Sequence, residues 1–354
     1  MSAADPHADF DEAARAPAPL DPAILASVVL VMQDGYAAIA RTVAALSTQT
    51  VADRTELVVV APGDAEDLPA DPRRDALART RLVRQADASL GEAQAHGVRA
   101  ASGAVVILGE DHAWPEPEYV EALAAACDEY HAAVGPAMVN ANPWSVVSWG
   151  NLLIAYGRWT EPVEPGVIDV LPGTNTAYFR SVLLGYGEEL DTLMAREGGL
   201  LQRMRRDGHE LYLEPRARVA HQNVSGLGAG ASLRYHAGRL YAAKRSEQER
   251  WGPGKRALYA AAAPLIPLLR FKRIVGELRG RGMPLSPRRI AGVAMGVTFD
   301  GVGQMAGFGV GAGGSAEKLQ DFEYNRYRYL SRRDRQEAGL TAPPSANPGG
   351  AGQR

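Results

Sequence analysis

Three polar side chains that could bind a cation follow one apolar run in this chain. Val105–Leu108 reads as a buried strand, and Glu110, Asp111 and His112 come directly after it. Carboxylate oxygens and imidazole nitrogens are ligands for divalent ions. In open α/β sheets such groups meet ligands at the carboxyl ends of strands. The spacing therefore predicts a ligand-binding cluster at a strand end; the alternative is a polar turn that caps the next helix.

The elements that must position this cluster alternate between strand and helix. Apolar runs predict strands over 26–32, 56–61 and 80–83, and helical spacing predicts helices over 36–48 and 90–101. This alternation is typical of a right-handed, mostly parallel sheet. The predicted fold class is α/β, with a mostly parallel sheet flanked by helices.

The pattern changes in the second half of the chain. A helix is predicted over 118–133 and another over 190–207, which Gly208 would end. Two short strands, 211–213 and 219–221, are predicted to bracket a proline-containing turn. The glycine-rich stretch 226–230 predicts a hinge before a helical, partly apolar carboxyl-terminal appendage.

Charge is unevenly distributed along the 354 residues, whose formal net charge is −3. Residues 234–289 hold fourteen Lys or Arg against three acids, a net charge of about +11, which leaves about −14 elsewhere. Such asymmetry indicates an anionic partner, either lipid or nucleic acid. The aromatic residues of this segment match no nucleic-acid recognition module, so no nucleic-acid partner is predicted.

Two apolar stretches, 258–269 and 290–313, accompany the basic segment. The first is short and broken by prolines, and the second contains eight glycines, Asp300 and Gln304. Neither suits a simple membrane-spanning helix, so both are predicted to be interfacial or re-entrant elements on an anionic membrane surface. The alternative is a soluble helical appendage that packs on the rest of the chain or on a second copy.

Cysteine usage and the amino-terminal composition indicate the compartment. Cys127 is the only cysteine, so no intrachain disulfide forms, and residues 1–22 lack a basic region followed by an apolar core. The predicted location is cytoplasmic, peripherally associated with the inner face of the cell membrane. The predicted organisation is a disordered leader over 1–22, an α/β domain over 23–225, a basic helical region over 231–335 and a disordered tail over 338–354.

Five segments then occur in a recognisable order: 27–36, 56–60, 97–112, 172–180 and 208–221. Their residues and spacing resemble those of the family 2 glycosyltransferases, which have the GT-A fold. The resemblance covers residues 24–225 approximately and implies transfer of a sugar, with inversion, from a nucleotide-diphosphate donor. It also implies a divalent metal cofactor, Mn2+ or Mg2+, that neutralises the leaving diphosphate.

The resemblance assigns Glu110, Asp111 and His112 to the metal, together with His221 at the end of the domain. Because imidazole tolerates Mn2+ better than Mg2+, manganese is the expected ion. A histidine that simply ends a strand is the alternative for His221.

The resemblance also implies a catalytic base and a substrate pocket. Counting back from Gly208 places Glu197 where the family has the base that takes the acceptor proton. The alternative is a surface acid paired with Arg196 or Arg203. The residues assigned to substrate binding are Asp34, Glu56, Gly173 and Asn175, although Asp34 and the Pro-Gly-Thr-Asn stretch are also ordinary turn residues.

Two departures from the family pattern leave other functions open. Ala61 and Pro62 stand where acids usually contact the nucleotide base, and Gln94 replaces an expected arginine. The predicted function is a glycosyltransferase acting on a lipid-linked or cell-envelope glycan acceptor. The alternatives are a catalytically inactive nucleotide-sugar-binding protein and a membrane-tethered scaffold.

Overall fold

The computed structural model describes residues 16–33, 35–85, 89–196 and 198–337. It divides into two compact units, Met1–Val139 with Arg158–His221, and Asn140–Gly157 with Gln222–Arg354. The predicted disordered tail, 338–354, and the first fifteen residues of the predicted leader lie outside the described part. Residues 16–22 are described, and Ala18 and Asp21 donate backbone hydrogen bonds to Arg99 and Ser102. The end of the predicted leader is therefore ordered.

The strands of the first unit are β1 (Ala26–Val31), β2 (Thr55–Pro62), β3 (Arg79–Gln85), β4 (Val105–Leu108), β5 (Ala113–Pro115), β6 (Ala133–Asn140), β7 (Gly166–Val167), β8 (Thr176–Phe179) and β9 (Leu211–His221). Within the described residues they form one sheet in the order β3-β2-β1-β4-β8-β6-β9-β5, with β7 paired to β9. The first four strands of that order are parallel, and β8 pairs antiparallel with β4. The change of direction between β4 and β8 brings loops from both halves of the sheet to the end of β4.

The helices of the first unit are α1 (Tyr36–Leu46), α2 (Leu90–Ala100), α3 (Tyr119–Ala126), α5 (Arg180–Gly185), α6 (Glu189–Ala195) and α7 (Gly199–Arg206), α4 belonging to the second unit. Ser89 and Glu92 form a reciprocal capping box at the start of α2. A side chain at Gly97 would clash with Val29 of β1, so the glycine lets α2 lie close on the sheet. The predicted α/β class, with helices flanking the sheet, is confirmed.

The structure corrects three sequence predictions in this unit. The helix predicted over 118–133 ends at Ala126, because Ala133 already begins β6. The helix predicted over 190–207 is two helices: the first ends at Ala195, where Arg196 is extended, and Gly198, with a left-handed φ of 68°, precedes the second. The predicted turn at Pro215 is absent: β9 is continuous through it, and Pro215 lies between the residues paired to β7 and those paired to β5.

The described part of the second unit is helical. Its helices are α4 (Val146–Ala155), α8 (Leu227–Gln248), α9 (Pro253–Ala262), α10 (Ile266–Gly280), α11 (Pro287–Val310), α12 (Ser315–Tyr324) and α13 (Arg332–Glu337). Short 3-10 turns over Ala263–Leu265 and Arg326–Tyr329 join successive helices. A hydrophobic cluster that includes Leu153, Leu278 and Val293 fixes α4, α10 and α11 together.

Glycines let the helices of this unit approach closely. A side chain at Gly292 of α11 would clash with Val146 of α4, and one at Gly303 would clash with Tyr235 of α8. The same is true of Gly230 in α8, which packs against Val147. The predicted hinge over 226–230 is therefore wrong for this stretch, because Leu227 already begins α8 and Gly230 packs against α4.

Five of the eight glycines of 290–313 have the same explanation: Gly292, Gly296, Gly301, Gly303 and Gly307. This stretch forms most of α11, and the glycine-bearing face of that helix is buried. A packed helix thus accounts for the composition that suggested a re-entrant element, and contact of this segment with a membrane surface stays a prediction. Among the described residues, no helix has both the length and the apolar character that crossing a membrane requires.

Candidate metal centre

The end of β4 presents the first candidate ligand. All four residues of Val105–Leu108 are buried, and the backbone N–H of Gly109 continues the parallel pairing by donating to Val29 at 2.9 Å. A Cβ on Gly109 would lie 2.6 Å from the end of the Leu30 side chain, so this glycine lets the chain run close beside β1. The next residue, Glu110, leaves the sheet at its carboxyl edge, which is where the sequence predicted a ligand cluster.

Pairing of β5 with β9 brings the two histidines together. Ala113 is the register partner of His221, so His112 lies beside His221 although the chain between them is long. The two rings are 4.9 Å apart between centroids and nearly perpendicular, at 81°. Both histidines are almost completely buried. The sheet register, rather than local sequence, therefore builds this pair.

The carboxylate of Glu110 completes the group. Its Oε2 lies 3.4 Å from Nε2 of His112 and 3.5 Å from Nε2 of His221. The ligand atoms that the three residues offer all lie within 4.8 Å of one another. Within the described residues, Nε2 of His112 makes no hydrogen bond although it is buried. One carboxylate and two imidazoles thus converge on one point.

Residues that precede β8 hold the Glu110 carboxylate in place. Thr176 is the register partner of Leu108, which sets the preceding residues beside Glu110. Asn175 Nδ2 donates to Oε2 at 2.7 Å, and the Thr174 hydroxyl donates to Oε1. Two hydrogen bonds to one carboxylate fix its orientation.

Asn175 itself is held in an unusual conformation. Its φ of 56° lies in the left-handed region, which asparagine tolerates better than most residues. The Tyr119 hydroxyl donates to the Asn175 carbonyl at 2.8 Å. Burial, and next the charge of Glu110, raise the pKa of Tyr119 well above its usual value, so this hydroxyl stays a donor. Tyr119 and the backbone together aim the Asn175 amide at Glu110.

Asp111 has a different position from the two residues beside it. Its Oδ1 lies 2.6 Å from Nδ1 of His112, and it is not in the convergent group. An ionised carboxylate can only accept a hydrogen bond, so Nδ1 of His112 carries the proton. The lone pair of that ring is then on Nε2, the atom that faces Glu110.

The arrangement fits a divalent ion. A tetrahedral ion with ligand bonds of about 2.1 Å needs neighbouring ligand atoms about 3.4 Å apart. The two separations that involve Glu110 Oε2, 3.4 and 3.5 Å, are close to that value. A donor set with two imidazoles suits Mn2+, Fe2+ or Zn2+ better than Mg2+, which prefers oxygen.

Other residues singled out in the sequence lie elsewhere. Glu56 sits at the amino end of β2, away from the edge that carries Glu110, and is fully buried. It accepts hydrogen bonds from Ser27 and Ser102 and pairs with Arg81 at 2.9 Å. These contacts are those of a structural ion network, so the structure does not bring Glu56 into the site.

The remaining predicted residues divide into those near the site and those outside the described part. Gly173 shares the loop of Asn175, and a Cβ at this position would have no atom within 4 Å. Its carbonyl accepts a hydrogen bond from Tyr178 at 2.8 Å. Asp34 and Glu197 lie outside the described residues.

Two residues of the site were not predicted from the sequence. The Thr174 hydroxyl donates a hydrogen bond to Glu110. The hydroxyl of Thr42 in α1 lies 3.1–3.3 Å from the carbonyls of Glu110, Asp111 and Ala113. Thr42 shares the spacing of Ile39, Val43 and Leu46, which marks the buried face of α1. That spacing would have indicated a polar side chain facing the sheet.

Residues 27–186 match the family model described as Glycosyl transferase family 2. No curated protein matches the chain. Among solved structures, GalNAc-T7 with UDP, GalNAc and Mn2+ is 17% identical over 57% of this chain and 45% of that one, with a TM-score of 0.40. S. aureus TarS is 16% identical over 61% of this chain and 39% of that one, with a TM-score of 0.40.

A shorter form of the second protein, S. aureus TarS 1-349 in complex with UDP-GlcNAc, is also similar. It is 14% identical over 57% of this chain and 59% of that one, with a TM-score of 0.39. The similar region thus spans about half the length of these solved chains, and His221 lies beyond the segment that the family model matches.

Proposed function

We propose that this chain, in which residues 27–186 belong to glycosyl transferase family 2, transfers a sugar from a nucleoside diphosphate donor to a hydroxyl acceptor. One observation carries the proposal: Glu110, His112 and His221 bring three ligand atoms together at the carboxyl edge of the sheet. In an open α/β sheet this edge is where a ligand is bound.

We assign a divalent ion to these three residues, with Mn2+ expected because two of the ligands are imidazoles. The ion supplies positive charge that stabilises the departing diphosphate without proton transfer. Asp111 holds His112 in the tautomer that presents Nε2, and Asn175 and Thr174 hold Glu110. The contact of Asp111 with His112 and the hydrogen bonds of Asn175 and Thr174 to Glu110 preorganise the site before any donor binds.

Glu197 remains the proposed base. It would accept the proton of the attacking hydroxyl as the bond from the sugar to the diphosphate breaks, which gives inversion at the reacting carbon. Asp34 and the loop containing Gly173 and Asn175 are proposed to contact the donor. No atom lies within 4 Å of a Cβ position at Gly173, so a donor can approach the loop backbone there.

The proposed acceptor is a lipid-linked or cell-envelope glycan, met at the inner face of the membrane. The charge distribution supports it, because residues 234–289 carry a net charge of about +11. A basic surface gathers a protein onto anionic lipids. The proposal places the chain in the cytoplasm, peripherally associated with that surface.

The test is a thermal-shift panel of nucleoside diphosphates and their sugars, with and without Mn2+. A ligand that binds only the folded protein raises the midpoint of unfolding, and we expect one donor to do so only with metal present. His112→Gln should abolish that shift. The matched control is His131→Gln, whose ring lies 3.7 Å from Glu210 and outside the convergent group.

Each other result has a definite meaning. A donor shift that survives chelation and His112→Gln would refute the metal assignment but keep a nucleotide site. Donor binding without sugar transfer to any added glycan lipid would favour the inactive binding protein. The absence of a shift with every donor, from folded protein, would refute the proposal.

A further inference from the structure

The second unit carries a row of exposed leucines on a nearly continuous helical segment. α9, the 3-10 turn and α10 follow each other with right-handed helical backbone angles at the junction residues Ala262, Ala263 and Leu265. The leucines of the row are 61–67% exposed, far more than large apolar side chains normally are. We call them the leucine stripe: Leu258, Leu265, Leu268 and Leu269.

The spacing of the stripe is that of one helix face. Its members are separated by seven, three and one residues, which keeps them on the same side of a helix. The opposite side of the segment is already used. Tyr259 and Ile266 pack around Phe308, while Ile274 and Leu278 enter the core with Val293. Folding within the chain therefore accounts for the packed face and leaves the stripe without an internal role.

Basic residues border the stripe at both ends. Lys255 precedes it, with Glu249 at 3.5 Å, and Lys272 and Arg273 follow it. Between 253 and 280 there are six Lys or Arg and a single acid, Glu277. Lys272 is exposed and no ion pair involves it within the described residues, whereas Arg273 has Glu277 at 3.9 Å. The face is thus apolar along its middle and positive at its margins.

We infer that the leucine stripe and its basic margins dock on an anionic phospholipid surface, with the leucines at the level of the acyl chains and the cations among the headgroups. Amphipathic helices bind in this way when buried apolar area and attraction to anionic lipid act together. Lys and Arg stems also lie along the interface while their charges stay in water. The inference rests on the peripheral membrane placement in the proposed function, and on no step of its chemistry.

Charge argues against a second copy of the chain as the occupant. In a symmetric contact the same surface meets itself, so cations at both ends of one stripe would face cations of the other. Such juxtaposition costs affinity unless acids intervene. Glu249 and Glu277 accompany Lys255 and Arg273, whereas Lys272 has no such acid within the described residues. An anionic bilayer offers the opposite charge at every point of the margin.

The experiment measures sedimentation of the full chain with phosphatidylcholine vesicles that contain about one third phosphatidylglycerol. We expect the protein to bind, and expect binding to weaken in phosphatidylcholine alone and with added salt. Leu265→Gln with Leu268→Gln should lower the partition coefficient about tenfold or more. Leu227→Gln is the matched control, since Leu227 is equally exposed but lies outside the stripe.

Lys272→Gln supplies a second, independent variant. Loss of one charge near an anionic surface should weaken binding roughly fivefold. No donor, metal or glycan is present in the assay, so Glu110→Gln should bind vesicles as the unmodified chain does. A failed sugar transfer with intact vesicle binding would then refute the proposed chemistry alone.

Three results would overturn the inference. They are no binding by the unmodified chain, equal binding by the double leucine variant, and a dimer in solution that the double leucine variant dissociates. The last would assign the stripe to a second copy of the chain instead.

Discussion

Asp111 Oδ1 lies 2.6 Å from Nδ1 of His112, so the middle residue of the polar triplet acts on its neighbour rather than joining the convergent group. Carboxylates that orient a ligating imidazole are common around metal ions, because they fix the tautomer and raise ligand basicity. The three residues therefore have different roles. Glu110 and His112 face the proposed ion, and Asp111 orients the His112 ring.

Asp111→Ala should weaken Mn2+ binding by roughly 10–100-fold without removing a ligand. The reason is that the His112 ring loses its partner and can turn or change tautomer. Isothermal titration with Mn2+ measures the effect. An unchanged affinity would mean that the backbone, rather than Asp111, fixes the ring.

Asn175 offers a test that separates backbone strain from ligand support. Asn175→Ala should lower the free energy of unfolding by about 2–4 kcal/mol, because a left-handed φ and a hydrogen bond to a carboxylate are both affected. Asn175→Gly should restore part of that stability, since glycine adopts the conformation freely, yet leave metal affinity as weak as in Asn175→Ala. Denaturant unfolding and Mn2+ titration of both variants decide this.

Glu56→Gln should destabilise the chain by roughly 1–3 kcal/mol, because the buried donors of Ser27 and Ser102 lose a charged acceptor. Metal and donor affinity, measured on the folded fraction, should not change. A selective loss of donor affinity would restore the substrate-binding role that the sequence suggested for Glu56.

Gly292→Ala should destabilise the second unit by about 1–3 kcal/mol, since the new methyl group meets the Val146 carbonyl of α4. Gly309→Ala is the control on the same helix. Nothing lies within 4 Å of a Cβ at Gly309, so the better helix propensity of alanine should stabilise the protein by about 0.5–1 kcal/mol. Thermal unfolding of the two variants should shift in opposite directions.

His236 predicts a pH dependence in the second unit. Burial, and then the charges of Arg239 and Lys318, lower the pKa of His236 below its ordinary value of 6.5. The unfolded chain therefore binds more protons as pH falls through 6.5, and the stability contribution present above that pH is lost below it. His236→Gln should flatten the fall in thermal midpoint on the acidic side of pH 6.5. Parallel pH curves for the two proteins would contradict the assignment.

The strands of the parallel half could be predicted because their signal is local. Runs such as Val105–Leu108 are apolar without interruption, and each is bounded by residues that end a strand. The polar triplet was found for the same reason, since it follows such a run directly. Family resemblance then supplied His221, which no local pattern connects to Glu110.

What the sequence did not reveal depends on partners distant along the chain. The glycines of α11 suggested a re-entrant element until the close approach of α4 and α8 explained them. Pro215 suggested a turn because a proline interrupts a paired strand, but pairing on that side of β9 skips this residue. Asn175 could be recognised as a turn residue. The hydrogen bond that its side-chain amide donates to Glu110 could not be predicted, because it depends on the register of β8 on β4.

The pairing of Ala113 with His221 also determines when the site can exist. Two ligands come from one short loop and the third from the last residue of the final strand, so the set has a high contact order. During synthesis the first two ligands leave the ribosome long before the third. Metal affinity should therefore appear only once the whole first unit has folded. A chain truncated before residue 221 should bind the metal weakly even if its parallel strands have paired.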